Sequence, residues 1–108
     1  MENKLEKLLE VLKPIHYTDP THNVDLGLAD YNGETYLVDV ALTYEEPGEA
    51  CYFLLSLGLN AEAAMQYAVE KGYLHLDEET KRHYYTSEQT EALWLWLNEG
   101  LAMPKKNI

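Results

Sequence analysis

Asn32-Gly33 is the dipeptide that most limits what this chain can fold into. Both residues tolerate the positive φ of a tight hairpin turn. They sit inside Val24–Gly48, VDLGLADYNGETYLVDVALTYEEPG, which reads as a β-hairpin running into a helix start. Two registers compete. A two-residue loop of Asn32-Gly33 sets Leu28 opposite Leu37 and Leu26 opposite Asp39, and each face then mixes apolar and acidic residues. A three-residue loop, Tyr31-Asn32-Gly33, sets Asp30 opposite Glu34, Leu28 opposite Tyr36, Leu26 opposite Val38 and Val24 opposite Val40. The second register collects Val24, Leu26, Leu28, Tyr36, Val38, Val40 and Leu42 on one face. A slip of one residue exchanges the faces, so the cleaner separation is the expected one.

That register puts Asp25 directly opposite Asp39, and like charges so placed repel. Residues 24–50 hold no Lys, Arg or His, and Asp25, Asp30, Glu34, Asp39, Glu45, Glu46 and Glu49 supply −7 of the net charge of −11. Three readings of this ribbon compete. It is a solvated outer face, with repulsion eased by salt. It is a surface for a positively charged partner, whose binding relieves the repulsion. Or Asp25 and Asp39 hold a cation, although the oxygen-rich spaced loop that calcium needs is missing. The second reading makes those seven acids the expected partner-binding residues.

The chain of 108 residues is expected to form one domain, 1–108, with a core that needs no metal or disulfide. Apolar content of 46% fits a folded protein rather than an acidic tail. The longest apolar run, Ala92–Leu97, is far too short to span a membrane. The charged, periodic opening MENKLEKLLEVLKP does not read as a signal peptide. One cysteine favours a reducing, cytoplasmic setting. With 19 acids against 8 Lys and Arg, direct contact with nucleic acid or an anionic membrane is not expected.

Leu5, Leu8, Leu9 and Leu12 form one stripe of a helix over residues 3–13, stopped by Pro14. PIHYTDPTHN, residues 14–23, reads as a loop with His16 and His22 on the surface. Pro47 and Glu49 suit a helix start, and Ala50–Leu57 is apolar all round, as in a buried helix. Cys51 belongs to that run as a packed thiol. Asn60 caps a helix Ala61–Lys71 that Gly72 ends, and its exposed face offers Glu62, Gln66, Tyr67, Glu70 and Lys71. Tyr73–Leu76 and Lys81–Thr86 suit two short strands with His75 facing His83. Thr86 or Ser87 caps a helix to about Glu99, ended by Gly100, with Leu93, Trp94, Trp96 and Leu97 as its apolar residues; Thr86 with Gln89 would make a capping box. Leu101–Ile108 is a short tail.

The fold class expected from this is α+β: an N-terminal helix, the acidic hairpin over 24–44, then helix, turn, helix, short hairpin and helix over 47–99. The last order resembles a winged-helix domain. In that family the second helix of the pair enters the DNA major groove. The matching segment here, Ala61–Lys71, carries Glu62, Gln66 and Glu70 outward. In size and charge the chain is similar to small acidic phage proteins that block restriction or CRISPR nucleases. That likeness implies an inhibitor that occupies a basic, nucleic-acid-binding surface of a partner protein. The alternative is a winged-helix transcriptional regulator. No enzyme is expected and no cofactor or metal is called for, since there is no phosphate-cradling glycine loop, His/Cys metal set or nucleophile with an evident base.

Overall fold

The computed structural model describes residues 4–45 and 51–101. The order of elements is α1 (Lys4–Glu10), β1 (Lys13–Tyr17), β2 (Val24–Tyr31), β3 (Glu34–Asp39), α2 (Val40–Glu45), β4 (Tyr52–Leu55), α3 (Ala61–Glu70), β5 (His75–Leu76), β6 (His83–Tyr85) and α4 (Thr90–Glu99). The class is mixed α and β. All six strands join one sheet, in the order β4-β3-β2-β1-β6-β5. Only β1 and β6 pair in parallel.

Both faces of this sheet are covered. On one, Ile15, Leu26, Leu28, Leu37 and Leu55 pack against Ala61, Ala64, Met65 and Ala68 of α3 and Leu93 and Leu97 of α4. On the other, Ala29, Tyr36 and Val38 pack against Leu8 of α1 and Val40 of α2, with Leu5 and Leu12 alongside. This is why Leu26, Gly27, Leu28 and Ala29 are all buried in succession. A strand covered on both faces reads as a continuous apolar run.

The same fact overturns the expected hairpin register. Leu28 pairs with Leu37, Leu26 with Asp39, Asp30 with Thr35 and Tyr31 with Glu34. The turn is the two-residue Asn32-Gly33, with φ of 52° and 81°. The three-residue register was preferred for leaving one apolar face and one wet face. With helices on both sides there is no wet face to keep. The observed register gives each side its own apolar set and buries Ala29 and Leu37, which the other would have exposed.

Five further expectations change. Residues 14–23 are not all loop, because Lys13–Tyr17 is an inner strand between β2 and β6. Pro14 fits there because the ladder to β6 begins only at Ile15. His16, expected on the surface, is buried; its Nδ1–H donates to the His22 carbonyl at 2.6 Å and its Nε2 is enclosed without a protein partner. The helix expected over Ala50–Leu57 is strand β4 over Tyr52–Leu55, paired with β3. Leu55 packs into the core on the α3 side and Tyr52 and Leu54 on the α1 side, with Phe53 left exposed, so the run does not surround a helix. The winged-helix order therefore lacks its first helix at Tyr52–Leu55, and its two "wing" strands are β5 and β6 of the large sheet. There His75 pairs with Tyr84, not His83, and the two rings stack at 4.9 Å. The helix start at Pro47 and the tail from 102 onward lie outside the described residues.

Elsewhere short-range signals hold. The Asn60 side chain accepts from the Ala63 N–H at 2.8 Å, and α3 ends before Gly72 at φ 85°. Gln89 Oε1 accepts from the Thr86 N–H at 3.0 Å, and Gln89 Nε2 donates to the Gly72 carbonyl at 2.8 Å, tying the end of α3 to the start of α4. The α1 helix is shorter than expected; Leu5, Leu8 and Leu12 of the stripe lie on the sheet, while Leu9 is exposed. Cys51 is fully buried. No helix among the described residues is long and apolar enough to cross a membrane.

Candidate functional site

The hairpin acids do not form one ribbon. Asp25 falls at a β-bulge: Ile15 pairs with Leu26 and His16 with Val24, which leaves Asp25 without a partner in that ladder. It is not opposite Asp39, so neither the expected repulsion nor the cation pair is formed. Its charge lies near Tyr85, whose hydroxyl is pushed up to about 12, by burial first and by Asp25 second. Asp30 is exposed as a residue, yet its Oδ1 accepts from the Thr35 hydroxyl at 2.8 Å and from the Ala61 N–H at 2.9 Å. It holds the first turn of α3 to the hairpin, where helix N–H groups lack intrahelical partners. Asp39 Oδ1 accepts from the Leu42 N–H at 3.0 Å and caps α2. Glu34 accepts from the Tyr36 hydroxyl at 3.1 Å. The side chain of Glu45, and all of Glu46 and Glu49, lie outside the described residues.

Substituting Asp30 by alanine removes both acceptances and leaves the Ala61 amide uncapped. The expected loss is about 1–3 kcal/mol of stability, read as a lower urea midpoint. Asp30→Asn keeps one oxygen acceptor and should recover part of it. A full-strength Asp30→Ala protein would mean the carboxylate is a free surface charge.

A denser acidic surface lies on the other layer. The exposed residues of α3 and α4 include Glu62, Gln66, Glu70, Glu91 and Glu99, with Glu88 just ahead of α4. Lys71, at the C-cap of α3, is the basic residue among them, with its Nζ 5.6 Å from the Tyr67 ring centre. Between the two helices Tyr67 stacks on Trp96 at 5.4 Å, and Tyr73 lies 5.6 Å from the same indole. Leu95 is 57% exposed nearby on α4. Half-buried aromatics ringed by charge are the residue types that anchor protein interfaces. The sequence placed Glu62, Gln66 and Glu70 outward. It held no local signal that Glu91 and Glu99 of α4 would share that outer layer, which comes from both helices packing on one sheet face.

The basic side chains gather elsewhere. Lys13, Lys81 and Arg82 surround a cleft of about 260 Å³ with Leu12, Pro14 and His83. Burial and the Lys13 charge hold His83 below its ordinary value. The unfolded chain then takes up a proton at higher pH than the folded one. Stability should be complete above pH about 6.5 and fall as pH drops below it. The measurement is urea unfolding at a series of pH values. His83→Gln should flatten the slope in that window, and an unchanged slope would assign it to another group.

Other titratable groups serve local structure. The His22 ring, 2.6 Å from Asp19, holds the Asp19 carboxyl well below the usual range, helped by Thr21. Asp77 is lowered by the Thr80 and Glu79 amides that it accepts at 2.9 Å. Among the described residues no group of three or more His, Cys, Asp or Glu is placed to hold a metal. No family model, curated protein or solved structure matches the chain.

Proposed function

We propose that the protein is a non-enzymatic binding module that occupies a basic, nucleic-acid-binding surface of a partner protein, in the manner of the phage-type inhibitors it is similar to in size and charge. The observation that carries this reading is the outer surface of α3 and α4. Glu62, Glu70, Glu88, Glu91 and Glu99 are exposed on the layer that carries the Tyr67–Trp96 stack and exposed Leu95, with Lys71 as counter-charge. Fixed carboxylates on a rigid layer can stand in for phosphates and draw in a basic partner at long range. The aromatics supply the apolar contact that charge alone does not. Of the acids in the hairpin, Asp30 remains exposed at its tip and extends the negative surface toward the N-terminal end of α3.

The test is capture from host lysate with the wild type and with Glu62→Lys/Glu70→Lys/Glu91→Lys, each checked for folding by circular dichroism. The expected result is a nucleic-acid-binding protein held by the wild type, lost by the triple variant and displaced by duplex DNA. Capture unaffected by charge reversal would contradict the reading. Retardation of duplex DNA by this chain itself at low salt would instead favour a DNA-binding regulator.

A further inference from the structure

Nine tyrosines against one phenylalanine is an unusual balance, and three of those tyrosines converge on one ammonium group. Tyr31 ends β2, Tyr36 lies in β3 and Tyr52 opens β4. All three belong to the sheet face that α1 covers. The Lys4 Nζ stands 4.4 Å from the Tyr36 ring centre, 5.4 Å from that of Tyr52 and 5.7 Å from that of Tyr31. The Tyr36 and Tyr52 rings meet nearly at right angles, 83°, with centres 5.7 Å apart. They form two walls of a corner and Tyr31 forms a third. Glu34 stands at the same place, accepting from the Tyr36 hydroxyl.

We infer that Tyr31, Tyr36, Tyr52 and Glu34 form a cation cage for an alkylammonium group, and that Lys4 of α1 is its occupant in cis. An aromatic face is the negative pole of the ring quadrupole, and several faces around one cation are a recurrent way to bind ammonium ions, methylated ones above all. The carboxylate adds a full charge beside the rings. The pKa of the Lys4 ammonium is raised above its ordinary value, first by a hydrogen bond with the Tyr36 hydroxyl, against the opposing effect of burial, with the Glu34 charge adding to it. Lys4 remains partly exposed, so its side chain can swing back to water and leave the corner open. α1 does not depend on that contact alone, because Leu8 seats it in the core. The incoming group is then an alkylammonium side chain presented to the α1 side of the sheet, the face opposite the surface of α3 and α4.

The cage can be tested without any partner. Lys4→Ala is titrated with tetramethylammonium chloride and, separately, with N-acetyl-lysine amide, while NMR follows the rings of Tyr31, Tyr36 and Tyr52. Potassium chloride at equal ionic strength is the control. The expected result is a saturable shift of all three rings in Lys4→Ala, with apparent affinity roughly tenfold weaker in the wild type, where Lys4 must first leave. Lys4→Ala/Tyr52→Leu should lose the response. If Lys4→Ala folds poorly, Lys4→Gln replaces it. A folded variant that responds no differently from the potassium control, or that responds no better than the wild type, overturns the proposal and leaves the tyrosines as an anchor for α1. The result is independent of partner capture: a working cage with no captured partner removes the proposed function and keeps the site, and a captured partner with a silent cage places the contact elsewhere.

Discussion

Leu97→Ala is expected to lower stability by about 2–5 kcal/mol, the cost of lost burial plus the cavity left behind. Leu97 and Leu93 are fully buried, and they are the residues by which α4 enters the core with Leu26, Leu28, Leu37 and Met65. The site has little means to collapse. Gly100 follows three residues on, and a Cβ there would already strike the Leu57 side chain. The neighbouring Trp96 is held by Tyr67 and Tyr73 and cannot swing inward without breaking both contacts. Urea unfolding should show a lower midpoint at unchanged slope. The variant should also weaken capture of a partner, because α4 carries half of the acidic surface. A loss below about 1 kcal/mol would be a surface-like effect and would mean that α4 is not seated as described.

Leu8→Ala is expected to cost a similar amount, about 2–5 kcal/mol. This is the stricter test of the architecture. A hairpin with one buried face needs a single core, and a residue on the opposite side of the sheet would then cost little. In the sheet seen here Leu8 is fully buried against Ala29, Tyr36 and Val38. The chain leaving α1 also runs close over β2: a Cβ at Gly27 would come within 2.8 Å of the Lys13 carbonyl oxygen and 2.7 Å of the Leu12 side chain. Loosening α1 should at the same time free the tyrosine corner. Tetramethylammonium should therefore bind Leu8→Ala more tightly than the wild type under conditions where the variant is folded. Near-neutral stability for Leu8→Ala would restore the single-faced hairpin.

Local chemistry made part of this fold legible. Asn60 and Gly72 bracketed α3, Gly100 marked the end of α4, and Asn32-Gly33 marked the hairpin turn, whereas α4 begins at Thr90, past the expected cap at Thr86 or Ser87. Each is a signal spanning a few residues, with a backbone geometry attached. What failed depended on what lies across the sheet. The register turned on whether the second face was wet, and α1 covers it. Lys13–Tyr17 is short, contains Pro14 and a polar His16, and gains its place only by lying between β2 and β6. Tyr52–Leu55 sends apolar side chains to both sides of the sheet, Leu55 to one core and Tyr52 and Leu54 to the other, and periodicity does not separate such a strand from a buried helix.

The acids show the same division. Asp39 sits three residues before the Leu42 amide that it caps, a spacing readable in the sequence as an N-cap. Asp30 caps a helix 31 residues away, and no local pattern could reveal that. Counting charge along the hairpin treated structural carboxylates as a surface. The acidic face that remains is assembled from two helices distant in sequence.

The most direct test of the proposed function is the dissociation constant of the captured partner measured over a range of salt concentrations. Binding through exposed carboxylates to a basic surface should weaken steadily as salt rises, because such charges are screened within a Debye length. The triple lysine variant on α3 and α4 should have both lower affinity and a shallower slope. An affinity that does not change with salt would contradict the account and assign the contact to the apolar residues Leu95 and Trp96 alone.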